Sequence, residues 1–174
     1  MVKTAKHSAM GIVNLTPNSF SDGGKAFNIE GLKKLIDYHI NQGVDYLDIG
    51  AESTAPMNSS VSKSEELKRF EDLFFNLYKK DNRLNTINLS FDTYRTDTFG
   101  SIYQFLKMNG HRGDIIWNDV SGVPDWQLLK NEFSDCHYVL CHNLARNRDK
   151  SSSHMDYIDR SNDLPFLENV LDFF

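Results

Sequence analysis

Polar residues gather at one recurring place in this chain, directly after short apolar runs. Asn14 closes SAMGIV, Asp48 lies in VDYLDIG with Glu52, Ser53 and Thr54 just beyond, and Asp92 closes NTINLSFD. Asn118 and Asp119 close GDIIWND, and His142 and Asn143 close HYVLCHN. Asn and Asp side chains carry donor and acceptor edges that match a flat heterocycle with alternating N–H and C=N groups. An Asp in such a pocket accepts two N–H bonds, as from an amino-pyrimidine edge. Asn14, with nearby loop amides, is suited to hold a diphosphate or its Mg²⁺ through a carbonyl oxygen. Any one of these residues is equally at home as a turn former or helix cap. Their recurrence at every strand end is more than a solvated edge requires.

Other chemistries find less support. There is no Cys/His metal-ligand spacing, no GxxxxGK[ST] and no GxGxxG. His142 has no obvious Ser or Cys nucleophile partner, and His39, on a helix face, reads as structural or solvated. A net charge of −5 argues against general nucleic-acid binding. No apolar run approaches the roughly 18 residues of a membrane helix, and MVKTAKHSAM lacks the apolar core of a signal peptide. Cys136 and Cys141 flank one strand, too far apart along it to pair, so free thiols in a reducing cytoplasm are expected.

These side chains need elements to carry them. With 174 residues and 40% hydrophobic content, one domain over 1–174 is expected. Strands are read at 8–13, 44–50, 85–92, 113–119 and 137–143. Helices are read at 29–42, from Ser62 or Ser64 onward through Leu77, at 96–109, at 125–132 and at 164–174. The segment ARNRDKSSSHMDYIDRSND reads as a mobile loop or poorly ordered insert. Strands alternating with helices mean parallel βα units, in a doubly wound sheet or a barrel wall. In either, strand C-termini share one rim, where ligands bind. A closed (β/α)8 barrel takes about 250 residues, more than this chain has.

At these same residues the sequence resembles a known family. MGIVNLTPNSFSDGG and GVDYLDIGAESTAP are similar to the first two signatures of dihydropteroate synthase, LSFDTYR and IIWNDVSG to its third- and fourth-strand motifs, and VLCHN to its Met-His strand. The resemblance implies an α/β fold forming part of a (β/α)8 TIM barrel, about five βα units with strands six to eight missing. It implies a transferase of folate biosynthesis that joins 6-hydroxymethyl-7,8-dihydropterin diphosphate to p-aminobenzoate, with Mg²⁺ assisting diphosphate departure. Carried over residue by residue, Asp92 and Asn118 hydrogen-bond the pterin, and Asn14 binds diphosphate and metal. Asp48 and His142 join the substrate site. Phe20, Ser21 and Asp22 lie on a mobile first loop, and Ser53 and Thr54 on a second; Asp22 and Asp92 carry the catalytic roles. Both loops would shield a cationic pterin methylene from water.

Three departures stand out. Ala55 occupies the place of a family Arg that pairs with the first-loop Asp, and Gly50-Ala51 replaces a doubled Gly. The family's last three strands, with a pterin-binding Lys and a closing Arg-x-His anion site, have no counterpart. An open barrel exposes strand edges and its apolar interior, so a homodimer or a complementary C-terminal chain is expected as partner. The alternatives are a non-catalytic pterin-binding or interaction protein, or the pterin domain of a corrinoid methyltransferase. The complete SFSDGG loop favours the synthase over the latter.

Overall fold

The computed structural model describes residues 7–16, 28–52, 61–121 and 125–141. Five strands, β1 (Met10–Asn14), β2 (Tyr46–Gly50), β3 (Asn88–Asp92), β4 (Ile115–Asp119) and β5 (His137–Leu140), form one parallel sheet in the order β1-β2-β3-β4-β5. Among the described residues the order never reverses, so they hold no topological switch point as in a doubly wound sheet. Sequential parallel strands with helical crossovers build the wall of a (β/α)8 barrel, and four βα units and a fifth strand of it are described.

Side-chain alternation divides the strands into two faces. Val13, Leu47, Ile49, Leu89, Phe91, Ile115 and Trp117 are at most 5% exposed and face the helices. There Phe91 packs edge-on against Phe70 and Phe74, and Trp117 stacks on Phe99 at 4.6 Å. Each such ring contributes about 1.5–3 kcal/mol by leaving water. The other face would line the barrel interior. On it Met10, Ile12 and Val139 remain 43%, 63% and 41% exposed. Ser90, on the same face, is fully buried.

The helices begin where the sequence supplies caps. Asn28 accepts from the Gly31 amide ahead of α1 (Ile29–Asn41), and Gly43, at φ 74°, ends the turn that follows it. Ser62 caps α2 (Lys63–Arg69), which continues through a π-helical turn (Phe70–Phe75) into α3 (Asn76–Tyr78). The widened turn was not anticipated from helical periodicity, yet Phe70, Phe74 and Leu77 still share the buried face. Asn85, expected to begin the third strand, instead closes a 3-10 turn (Asn82–Asn85) held by Asp81. α4 (Thr96–Met108) and α5 (Trp126–Glu132) complete the described layer, the latter capped by Asp125. The expected helix at 164–174 lies outside the described residues.

His39 has the structural role. Its ring lies across Gly11, where an added Cβ would meet it at 2.6 Å, and its Nε2 is 3.1 Å from the Ile12 carbonyl oxygen. A carbonyl only accepts, so Nε2 carries the proton.

Candidate functional site

Strand register assembles the site. Asn14 pairs with Gly50, Gly50 with Asp92, Asp92 with Asn118, and Asn118 with Val139, giving one continuous row at the C-terminal ends of all five strands. At about 4.8 Å between neighbouring strands, Asn14 and Asp92 stand about 10 Å apart. One layer deeper, Ile12, Asp48, Ser90, Ile116 and His137 are aligned in the same way. Residues 21 or more apart in sequence thus become neighbours through hydrogen-bonded register alone.

The two rows are joined by side chains. Asp48 Oδ1 accepts from the buried Ser90 hydroxyl at 2.6 Å. The Asn118 side-chain N–H₂ donates to Asp48 Oδ1 at 3.4 Å and Oδ2 at 3.3 Å. A carboxylate only accepts, so this contact fixes which way the Asn118 amide faces. Asp48 therefore sits beneath Asn118 and orients it. Gly50 leaves room for Asp92: a Cβ there would lie 3.4 Å from the Asp92 Cβ and 3.5 Å from its Oδ2. The departure at Ala51 is accommodated, since this side chain is fully buried and its carbonyl accepts from Arg69 at 2.8 Å.

Asp119 follows the ordinary turn reading. It lies on the helix-facing side, 3% exposed, and accepts from the Ser121 amide at 2.7 Å, the Ser121 hydroxyl at 2.9 Å and the Tyr138 hydroxyl at 2.7 Å. Burial, then the Asp119 carboxylate, raises the Tyr138 hydroxyl well above the ordinary tyrosine range. Cys136 is a free thiol, and both it and Cys141 are partly buried. Burial pushes the Cys136 thiol up to about 11, which keeps it neutral and a poor nucleophile. Phe20, Ser21, Asp22, Ser53, Thr54, Ala55 and His142 lie outside the described residues.

Behind the rim is a buried ionic cluster that the linear pattern did not reveal. Arg95 Nη1 meets Glu52 Oε2 at 2.5 Å and Glu66 Oε2 at 3.0 Å, and the Thr98 hydroxyl donates to Glu66 Oε2 at 2.9 Å. Burial works against the Arg95 charge, but the Glu52 and Glu66 carboxylates outweigh it, and its proton is held more tightly than usual. Ser90 had a local signal, being a polar residue two positions before Asp92 and so on the same strand face. Glu66 and Arg95, 29 residues apart, had none.

Comparison with known proteins agrees with this fold. The family model described as pterin binding enzyme matches residues 10–165. A dihydropteroate synthase of Clostridium beijerinckii is 42% identical over 161 residues, which covers 92% of this chain and 55% of that protein. The crystal structure of a Clostridium difficile dihydropteroate synthase, determined in the presence of pteroic acid, superposes with a TM-score of 0.70 at 28% identity. That match takes in 100% of this chain and 58% of the other. A Xanthomonas albilineans dihydropteroate synthase with 4-aminobenzoic acid gives a TM-score of 0.59 at 30% identity, over 79% of this chain and 47% of the other. The chain spans about half the length of these relatives.

Proposed function

The chain belongs to the pterin binding enzyme family, and we propose that it supplies the first five βα units of a dihydropteroate synthase of folate biosynthesis. The reaction joins 6-hydroxymethyl-7,8-dihydropterin diphosphate to p-aminobenzoate. The amine nitrogen bonds the pterin methylene, the methylene–oxygen bond breaks, diphosphate leaves with the electron pair, and the amine gives up one proton to water or to the departing diphosphate. The observation that carries this reading is the single row of Asn14, Gly50, Asp92 and Asn118, with Asn118 turned by Asp48.

In this reading Asp92 accepts N–H bonds from the amino-pyrimidine edge, and its negative charge favours the cationic methylene. Asn118 commits its N–H₂ to Asp48 and offers its carbonyl to the pterin. Asn14, exposed at the rim about two strand spacings away, takes the diphosphate end. Phe20, Ser21 and Asp22, with Ser53 and Thr54, complete the aminobenzoate side and exclude water, with Asp22 as the second catalytic carboxylate. His142 adds a further substrate contact.

Mg²⁺ fits this donor set. Asn14 offers a hard carbonyl oxygen, and Mg²⁺ carried by a diphosphate takes most of its ligands from phosphate and water. Among the described residues no group of three His, Cys, Asp or Glu forms an all-protein cage. When bound, the ion would neutralise charge on the departing diphosphate.

Enclosing the pterin takes further parallel strands, from a continuation of the polypeptide, a second polypeptide or a second copy. The exposure of Met10, Ile12 and Val139 on the barrel-lining face supports such a partner. The free Cys136 thiol supports a cytoplasmic setting, and no described helix is long and apolar enough to cross a membrane. The deciding experiment measures dihydropteroate formation by this chain alone and together with a chain supplying the remaining strands. Turnover in either arm supports the reading, and none in both sinks it. Ala55 in the place of the family Arg favours a second reading, a pterin-binding protein without turnover; calorimetry with a pterin then shows binding where the assay shows no product.

A further inference from the structure

Arg95 stands three residues after Asp92, on the connection from β3 to α4, and its contacts reach both ends of a different connection. Glu52, whose Oε2 is 2.5 Å from Arg95 Nη1, is the last described residue after β2. Val61, whose carbonyl accepts from Arg95 Nη2 at 2.7 Å, is the first described residue before α2. Eight residues separate them, enough to span about 26–29 Å when extended. Here both ends touch one planar guanidinium.

The grip is built to hold. The Arg95 side chain is 12% exposed, Glu52 4% and Glu66 0%. Nη2 also donates to the Tyr94 hydroxyl at 2.6 Å, and the guanidinium lies 4.4 Å from the Tyr94 ring centroid. Arg69, donating to the Ala51 carbonyl at 2.8 Å, secures the leading end again. The rigid fork of Arg suits this task, because its two outer nitrogens serve separate acceptors at fixed spacing; a Lys ammonium is a single point charge.

We propose that Arg95 is a positioning residue: it sets both ends of the β2–α2 connection in register with the strand end that carries Asp92. The kinetic consequence rests on the dihydropteroate synthase reading; the mechanical one does not. In that reading the aminobenzoate side of the site lies on the β2–α2 connection and the pterin side on β3, so loss of the fork separates the two.

Arg95→Lys tests this while keeping the buried charge. Hydrogen exchange of the whole chain should show amides at Ala51, Glu52 and Val61 to Lys63 opening about tenfold faster in R95K, with those of Leu89, Phe91 and Trp117 unchanged. Glu52→Gln, which keeps shape and weakens one arm of the fork, should accelerate the leading end alone. Unchanged ends, or acceleration spread evenly over the chain, overturn the proposal. In the assembly that forms dihydropteroate, R95K should raise KM for p-aminobenzoate about tenfold and leave KM for the pterin diphosphate within about twofold. Equal effects on both substrates, or full function with Lys, overturn it too. An inactive wild type refutes the functional reading and leaves the exchange result to decide on Arg95.

Discussion

The Asn118 side chain donates to both carboxylate oxygens of Asp48, at 3.4 and 3.3 Å, across a separation of 70 residues. Because Asp48 also accepts from the buried Ser90 hydroxyl, it is held in place before any ligand arrives. Which edge of the Asn118 amide faces outward is thereby set from below. An Asn in water rotates freely between its two edges; this one presents a chosen edge.

Asp48→Ala should therefore weaken pterin binding about 10–100-fold, by releasing Asn118 and leaving Ser90 without its acceptor. Calorimetry of the variant against a pterin measures this, and circular dichroism checks that the sheet persists. Undiminished affinity would show that Asn118 does not depend on Asp48.

Gly50→Val should lower pterin affinity with little change in melting temperature. A Cβ added at position 50 would sit 3.4 Å from the Asp92 Cβ, and the further methyl groups of Val would press on the Asp92 carboxylate. Gly50→Ala, a contact at the edge of ordinary packing, should be much milder. Equal affinities for both variants would mean that Asp92 does not contact the pterin.

Trp117→Phe isolates one hydrogen bond. The indole N–H donates to the Thr93 carbonyl at 2.7 Å, directly beyond Asp92, while the ring stacks on Phe99. Phe preserves most of the stacking and leaves that carbonyl without the indole donor, so urea denaturation should show a loss of about 1–3 kcal/mol. A stability within error of wild type would show that the bond contributes nothing net.

His111 predicts a pH dependence of stability. Burial holds its imidazole below the ordinary histidine pKa of about 6.5, and its Nδ1 shares a 3.1 Å hydrogen bond with Tyr78. The unfolded chain then binds the proton more readily than the folded one. Its contribution to stability is full above the unfolded pKa and declines as pH falls below it, until the folded pKa is passed. Urea midpoints should drop between pH 7.5 and 5, and His111→Asn should flatten that slope. A parallel slope in the variant would assign the effect to other groups.

Much of this arrangement was legible in the chain. Apolar runs closed by Asn14, Asp92 and Asn118 located three of the strand ends to within a residue, because a parallel strand must end where polar turn chemistry begins. Asn28, Ser62, Asp125 and Gly43 punctuate the helices for equally local reasons, side-chain capping and left-handed backbone. Motif resemblance then identified the family. The least accurate boundaries were the end of β5, read at 143 but reached at Leu140, and the start of β3, where Asn85 went into a 3-10 turn. Capping by Asp81 there competes with strand pairing, and nothing in the alternation shows which wins.

Local pattern determined that the chain forms βα units and that their polar ends share a rim. Tertiary structure alone decided how those ends relate. It turned Asp48 beneath Asn118, sent Asp119 to the helix-facing side as a turn cap, and brought Glu52, Val61 and Glu66 onto Arg95. The physical reason is register. Periodicity along one strand specifies which face a residue occupies, whereas hydrogen bonding between strands specifies which residues from distant segments meet on it.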